Sequence, residues 1–374
     1  MKISLLQENF NKGLSLVSRQ VSGKATLPIL ANILLSTENG RLRLSATNLE
    51  TGINLWLGSK VEEEGSLTLP AKVLNEFVAS LPPDKIEIEA SETSLTAVSG
   101  SFKANFIGTV AAEFPKLPVF SDKPILIFEK NDFLRSLSRV AFAAAQDEGR
   151  PVLTGVLIKK KDKGKVTLVA TDGYRLSLKS AVAIEDKLEE DLLIPAKTLL
   201  EVSKIAQEKG EENKEIKIAQ TEEKSQVVFS LKDIEFSSRL LEGEFPDFDK
   251  IIPKTSTTKA EFDKEEFLRA VKIASIFARE QANIVKLKID PQAGKMKITA
   301  ETPQVGANES EIVAKIEGEE MEIAFNCRFL LDFLAAVKEE VIILEANGSL
   351  APGLFKVKGD DTYLHIIMPV RTQV

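Results

Sequence analysis

The chain is short of the residues that carry chemistry. Of its 374 residues one is cysteine, Cys327, one is histidine, His365, one is tryptophan and two are tyrosine. A lone cysteine excludes an internal disulfide, and one cysteine with one histidine falls short of the four ligands of a structural zinc site. No metal or other cofactor is therefore expected, and stability has to come from packing. Long apolar runs are missing as well. Nothing approaches the roughly 20 residues that span a bilayer, and residues 1–21 lack the basic start, apolar core and small-residue cleavage site of a secretory signal. The expectation is a soluble, cytoplasmic protein with no membrane partner. A basic excess is also missing: the formal charge of −7 argues against nucleic acid as a partner unless positive charge is gathered on one surface.

Catalytic signatures are equally thin. His365 stands between Leu364 and Ile366 in an apolar strand pattern, where a structural histidine is commoner than a general base. Cys327 falls in a helical segment and reads as a small core residue. Residues 348–355, GSLAPGLF, imitate the glycine spacing of a phosphate loop but put Leu354 and Phe355 where lysine and serine or threonine are required. Asp172 suits a turn better than a metal site. The pattern is that of a protein that binds, not an enzyme.

What the sequence does contain is a repeat. Residues 166–178, VTLVATDGYRLSL, place Asp172-Gly173 between two runs of alternating apolar residues, the pattern of two strands joined by a tight two-residue turn. Weaker echoes stand at 42–55, LRLSATNLETGINL, and at 296–310, MKITAETPQVGANES. Around each, the same order recurs: strand, amphipathic helix, strands with the hairpin, second helix, closing strands. Phe10, Phe133 and Phe267 mark the first helices. Pro70, Pro195 and Asn326 lead the second ones, with asparagine capping where the other copies use proline. The first two copies even share an ending, Glu113-Phe114-Pro115 and Glu244-Phe245-Pro246.

Helices are predicted over 7–20, 71–80, 131–145, 196–208, 264–279 and 326–337, and apolar strands over 27–36 and 152–160. The fold class is α+β: three repeated domains, 1–120, 121–253 and 254–374, each with two helices packed on antiparallel sheets. Lys and Arg minus Asp and Glu over the helical segments gives +4, against −11 for the remainder. Helices sharing one side would therefore make the face that repels phosphate least.

Four strings then carry a resemblance. ATDGYRL (170–176), EFPDFDKIIP (244–253), TLPIL (26–30) and MPVR (368–371) resemble the bacterial β sliding clamp family, the β subunits of DNA polymerase III, and the resemblance covers essentially the whole chain. It implies a non-catalytic processivity factor in DNA replication. Two crescents of three clamp-type domains would close head to tail into a homodimeric ring, with the helices lining a hole that encircles double-stranded DNA without regard to sequence. The implied partners are the replicative polymerase α subunit, the clamp loader and other proteins with clamp-binding motifs. Their peptides would enter a groove walled by Leu153, Thr171, Gly173, Tyr174, Arg175 and Leu176, by Pro246 and Ile251, and by Ile366, Met368, Pro369, Val370 and Arg371, with Asn326 and Phe329 flanking its second half. The alternative for Leu176, Ile251 and Ile366 is that they are core residues. The implied DNA contacts are Lys24, Gln146, Arg150 and Lys197; at the dimer seam Phe106 would meet Ile276 and Phe277. Pro151 and Val152, residues 348–353 and residues 372–374 depart from the family pattern. The competing reading is a three-repeat peptide-binding scaffold without nucleic acid.

Overall fold

The computed structural model describes residues 1–21, 27–161, 164–208, 214–279, 282–303 and 306–371. Among them are six α-helices: α1 Gln7–Val17, α2 Ala71–Ser80, α3 Lys130–Ser138, α4 Ala196–Glu208, α5 Lys264–Ala278 and α6 Cys327–Ala336. Each coincides with a predicted segment. α1 and α3 are shorter than predicted because 3-10 turns, Ser18–Gln20 and Ala141–Ala143, take over the remainder. Phe10, Leu14 and Val17 recur at spacings of four and three on α1 and are fully buried, as are Phe133 of α3 and Phe267 of α5. α5 starts on Asp263, whose carboxylate accepts the Glu266 N–H at 2.8 Å. α6 starts on Asn326, whose side-chain oxygen accepts the Arg328 N–H at 3.0 Å, the capping role expected of it.

Two strand expectations need correction. Residues 27–36 and 152–160 are not strands throughout, because Pro28–Ala31 and Pro151–Thr154 form 3-10 turns before the strands Asn32–Glu38 and Gly155–Lys160 begin. The proline at the head of each segment fixes φ near the helical value and cannot donate to a ladder.

The chain forms two compact units, so the middle repeat is divided between them. The first comprises Met1–Lys130, Ile184–Lys187 and Glu201–Leu240. It holds a five-stranded antiparallel sheet ending in Ser94–Ser99 and Phe102–Ile107, and a nine-stranded sheet in which Ile234–Arg239 lies beside Thr51–Gly58. The second comprises Asn131–Ala183, Leu188–Leu200 and Leu241–Val374. Its twelve-stranded sheet pairs Arg175–Val182 with Asp360–Ile367 and, farther along, Lys295–Thr302 with Gly306–Gly318. Under it, Phe267, Val271, Phe325, Phe333 and Phe355 belong to one buried cluster with α5 and α6.

Candidate functional site

The same seam is built twice. In the first unit residues 51–55 pair antiparallel with residues 238–234, and in the second unit residues 175–179 pair with residues 367–363. In each case the last strand of one repeat completes the sheet of the repeat before it. The turns that lead into the two seams agree bond for bond. Thr47 Oγ1 donates to Thr51 O at 2.7 Å and Thr171 Oγ1 to Arg175 O at 2.6 Å. Asn48 Oδ1 accepts the Glu50 and Thr51 N–H groups at 3.0 and 2.8 Å; Asp172 Oδ1 accepts those of Tyr174 and Arg175 at 2.9 Å each. Both turns then receive an N–H from the incoming strand, Arg239 to Glu50 O at 2.9 Å and Met368 to Tyr174 O at 2.8 Å.

This corrects the expected two-residue turn. Thr171 pairs with Leu176, so the connection spans four residues, and Gly173 alone takes a positive φ, +90°. Asp172 acts through its carboxylate, gathering two N–H groups as an Asx turn does.

The seams differ in their floors. In the second, Leu176 is paired with Ile366, and both are buried with Leu157, Val169, Leu193, Phe248 and Leu354. In the first, the paired positions are Gly52 and Ser237, and Leu117 folds over Gly52 so closely that an added Cβ would lie 2.6 Å from its Cδ2. Beside it lies a cavity of about 830 Å³ with a mixed lining, Leu117, Pro118, Val119 and Val228 alongside Lys116, Asp122, Lys123, Glu222 and Glu223. Only the second seam joins an apolar floor to an accessible apolar rim. There Met368 and Ile251 are each 38% exposed and Tyr174 67%, with Pro246 and Gly173 also at the surface and Pro369 and Val370 half-buried.

Apart from half-buried Pro369 and Val370, the predicted wall residues fall into two groups. Leu153, Thr171, Arg175, Leu176 and Ile366 are buried and form the substructure; Gly173, Tyr174, Pro246, Ile251, Met368 and Arg371 are exposed. Val370 N–H bonds to Ala324 O at 2.8 Å, just ahead of Asn326 and Phe329. Arg175 is fully engaged. Its Nε donates to Asp172 at 3.1 Å, Nη1 to Asp332 at 2.6 Å and Nη2 to Phe142 O at 2.9 Å, while the guanidinium lies 4.6 Å from the Phe329 ring centre and 5.5 Å from that of Phe142. Sequence reasoning missed Asp332, Phe142 and the floor residue Phe248. Only Phe248 had a signal, its place two residues after the repeated Glu-Phe-Pro, matching Leu117.

Beneath the floor lies His365, fully buried, with Nδ1 2.6 Å from Ser177 Oγ and its ring stacked on Phe333. Burial, with the Arg175 charge added, pushes its pKa down to about 3. It is neutral at physiological pH. Arg139 and Lys179 meet Asp360 at 2.7 and 2.6 Å, and Arg139 also bonds Glu339. The Asp360 carboxyl is raised by burial but lowered more by Lys179 and Thr362, so its pKa ends below the usual range.

Lys24 lies outside the described residues. Gln146, Arg150 and Lys197 are exposed. Arg150 does not stand apart from the turn of the second seam: its Nη1 is 3.6 Å from where a Cβ on Gly173 would be. Phe106 is buried edge-on against Phe77 at 5.4 Å; Ile276 is 56% exposed and Phe277 half-buried.

Three family models match the chain, those of the DNA polymerase III beta subunit N-terminal domain at residues 1–118, central domain at 128–247 and C-terminal domain at 249–371. The beta sliding clamp of Synechococcus elongatus is 31% identical over 376 residues, 99% of each chain. That of Bacillus subtilis is 33% identical over the whole of both. Among solved structures, the DNA polymerase sliding clamp of Bacillus subtilis superposes with a TM-score of 0.93 at 31% identity, and the DNA polymerase III beta subunit of Thermotoga maritima with 0.89 at 27%, each covering 100% of both chains.

Proposed function

The chain belongs to the DNA polymerase III beta subunit family, the beta sliding clamps, and we propose that two copies close into a ring round duplex DNA and hold partner proteins through the groove of the second seam. As a member of that family it is a replication processivity factor and not a catalytic subunit. Among the described residues no helix is long and apolar enough to cross a membrane; the work of a ring threaded on the chromosome is in the cytoplasm.

The observation that carries the ring is an unfinished pattern. The last strand of the second repeat completes the first, and the last strand of the third completes the second. That leaves the last strand of the first repeat, Phe102–Ile107, and the corresponding strand of the third, Gly306–Gly318. Among the described residues Phe102–Ile107 pairs only with Ser94–Ser99, and residues 306–313 pair only with Lys295–Thr302. Such open edges invite pairing, and these carry Phe102, Ile107 and Val313 exposed. A second copy satisfies both edges head to tail and makes two identical seams, with Phe106 set against Ile276 and Phe277. The three tandem domains of each copy, 1–120, 121–253 and 254–374, then make six round the ring. Lys24, Gln146, Arg150 and Lys197 supply weak phosphate contacts, since topology provides the hold.

The test is retention. Protein loaded onto closed circular DNA is expected to stay and to run off once the circle is cut, with weak, salt-sensitive affinity for short duplex. Tight sequence-specific binding to linear duplex refutes the reading.

The groove takes the aliphatic and aromatic anchors of extended peptides from the polymerase, the loader and other partners, seated on Leu176 and Ile366 and flanked by Met368, Ile251 and Tyr174. The support is internal: of two seams with the same backbone, only this one has an apolar floor.

A further inference from the structure

We propose that Arg175 is not a peptide contact but the positioning residue of the groove, and that Asp332 of α6 and the Phe142 carbonyl are its working partners. This rests on the peptide-binding reading of the second seam. Arg175 is 8% exposed, and its three nitrogens reach three separate walls: the turn at Asp172, the helix α6 at Asp332, and the 3-10 turn at Phe142. Its guanidinium is also in contact range of the rings of Phe142 and Phe329. A planar fork held on two faces fixes the distance between the turn that carries Tyr174 and the helix that carries Phe329.

The alternative role is that Arg175 merely folds its own turn. The first seam excludes it. There Thr51 occupies the corresponding position, and the turn keeps all its hydrogen bonds, from Thr47 and Asn48, without any arginine. What Arg175 adds is found only where the floor is apolar: a strut between the turn and α6. Asp332, about half exposed, anchors the outer end of that strut.

The test uses the full chain and a fluorescein-labelled, uncharged hexapeptide with one leucine and one phenylalanine anchor, read by fluorescence anisotropy. Arg175→Lys keeps the charge and loses the fork; Asp332→Asn keeps the shape and loses the ion pair. Each is expected to weaken peptide binding by about tenfold, the scale of a charge-assisted hydrogen bond. The double variant should be no weaker than the worse single one, because both act through one strut. Asp332→Asn should leave the melting temperature and the dimer unchanged. Affinity retained in Arg175→Lys, or additive losses, overturns the positioning role while the groove stands. A wild-type chain that fails to bind the peptide overturns the groove reading itself, and the inference with it.

Discussion

Acidification singles out one side chain in this molecule, because His365 is its only histidine. The ring is fully buried, 5.0 Å from Phe333 and 5.3 Å from Phe142, and its Nε2 has no hydrogen-bond partner among the described residues. Protonation would place a charge in a fully buried surround and beside Arg175. The pKa is accordingly pushed from the usual 6.5 to about 3. The unfolded chain takes up the proton below 6.5 and the folded one only near 3, so the stability due to neutral His365 is complete above pH 6.5 and is lost as pH falls toward 3. At pH 5 the loss is about 2 kcal/mol. Two measurements check this. The single imidazole resonance should titrate near pH 3. In urea unfolding, the wild-type chain should lose about 2 kcal/mol more between pH 7 and pH 5 than His365→Gln, in which the carboxylates titrate alike and the imidazole is gone. An imidazole that titrates above pH 5, or parallel losses in the two proteins, refutes the reasoning.

Ile276→Asp should convert the dimer to monomers in sedimentation, since it places a charge in an apolar contact worth roughly 2 kcal/mol at each of two seams; a persistent dimer at micromolar concentration moves the interface elsewhere. Deleting residues 368–374 removes the Met368 and Val370 backbone bonds to Tyr174 and Ala324. It should abolish peptide binding while the melting temperature stays within a few degrees; a collapsed fold would make these residues core. The paired turns predict opposite signs. Leu49, at φ 75°, should gain about 1 kcal/mol on Leu49→Gly, and Gly173, at φ 90°, should lose about as much on Gly173→Ala, both read by denaturant midpoint.

Where local physics decides an element, the sequence was legible. The three phenylalanines on helix faces, the Asn326 cap and the repeat period all specify structure within a few residues of themselves. The strands expected over 27–36 and 152–160 failed at their starts because the apolar pattern ran through Pro28 in one and began directly after Pro151 in the other, and the proline outweighed it. At the second seam, Leu176, Ile366 and Met368 were named through resemblance, but whether each is floor or rim depends on strand pairing across nearly two hundred residues. The partners of Arg175 were out of reach for the same reason. Its three partners lie at 142, 172 and 332, and no spacing rule connects them.

Lending the last strand backward has a cost during synthesis. The strand Thr51–Gly58 leaves the ribosome about 180 residues before Ile234–Arg239, the strand that closes its edge. At roughly 5–20 residues per second the nascent chain carries that open edge for roughly 9 to 36 seconds. The interval is long against hairpin formation, which takes microseconds, so the first repeat folds to its limit and then waits. The waiting strand carries Ile53, Leu55, Trp56 and Leu57 beside small Gly52 and polar Asn54. The second seam, with Leu176 and Leu178 on Arg175–Val182, waits as long, so a holding chaperone has two open edges to protect.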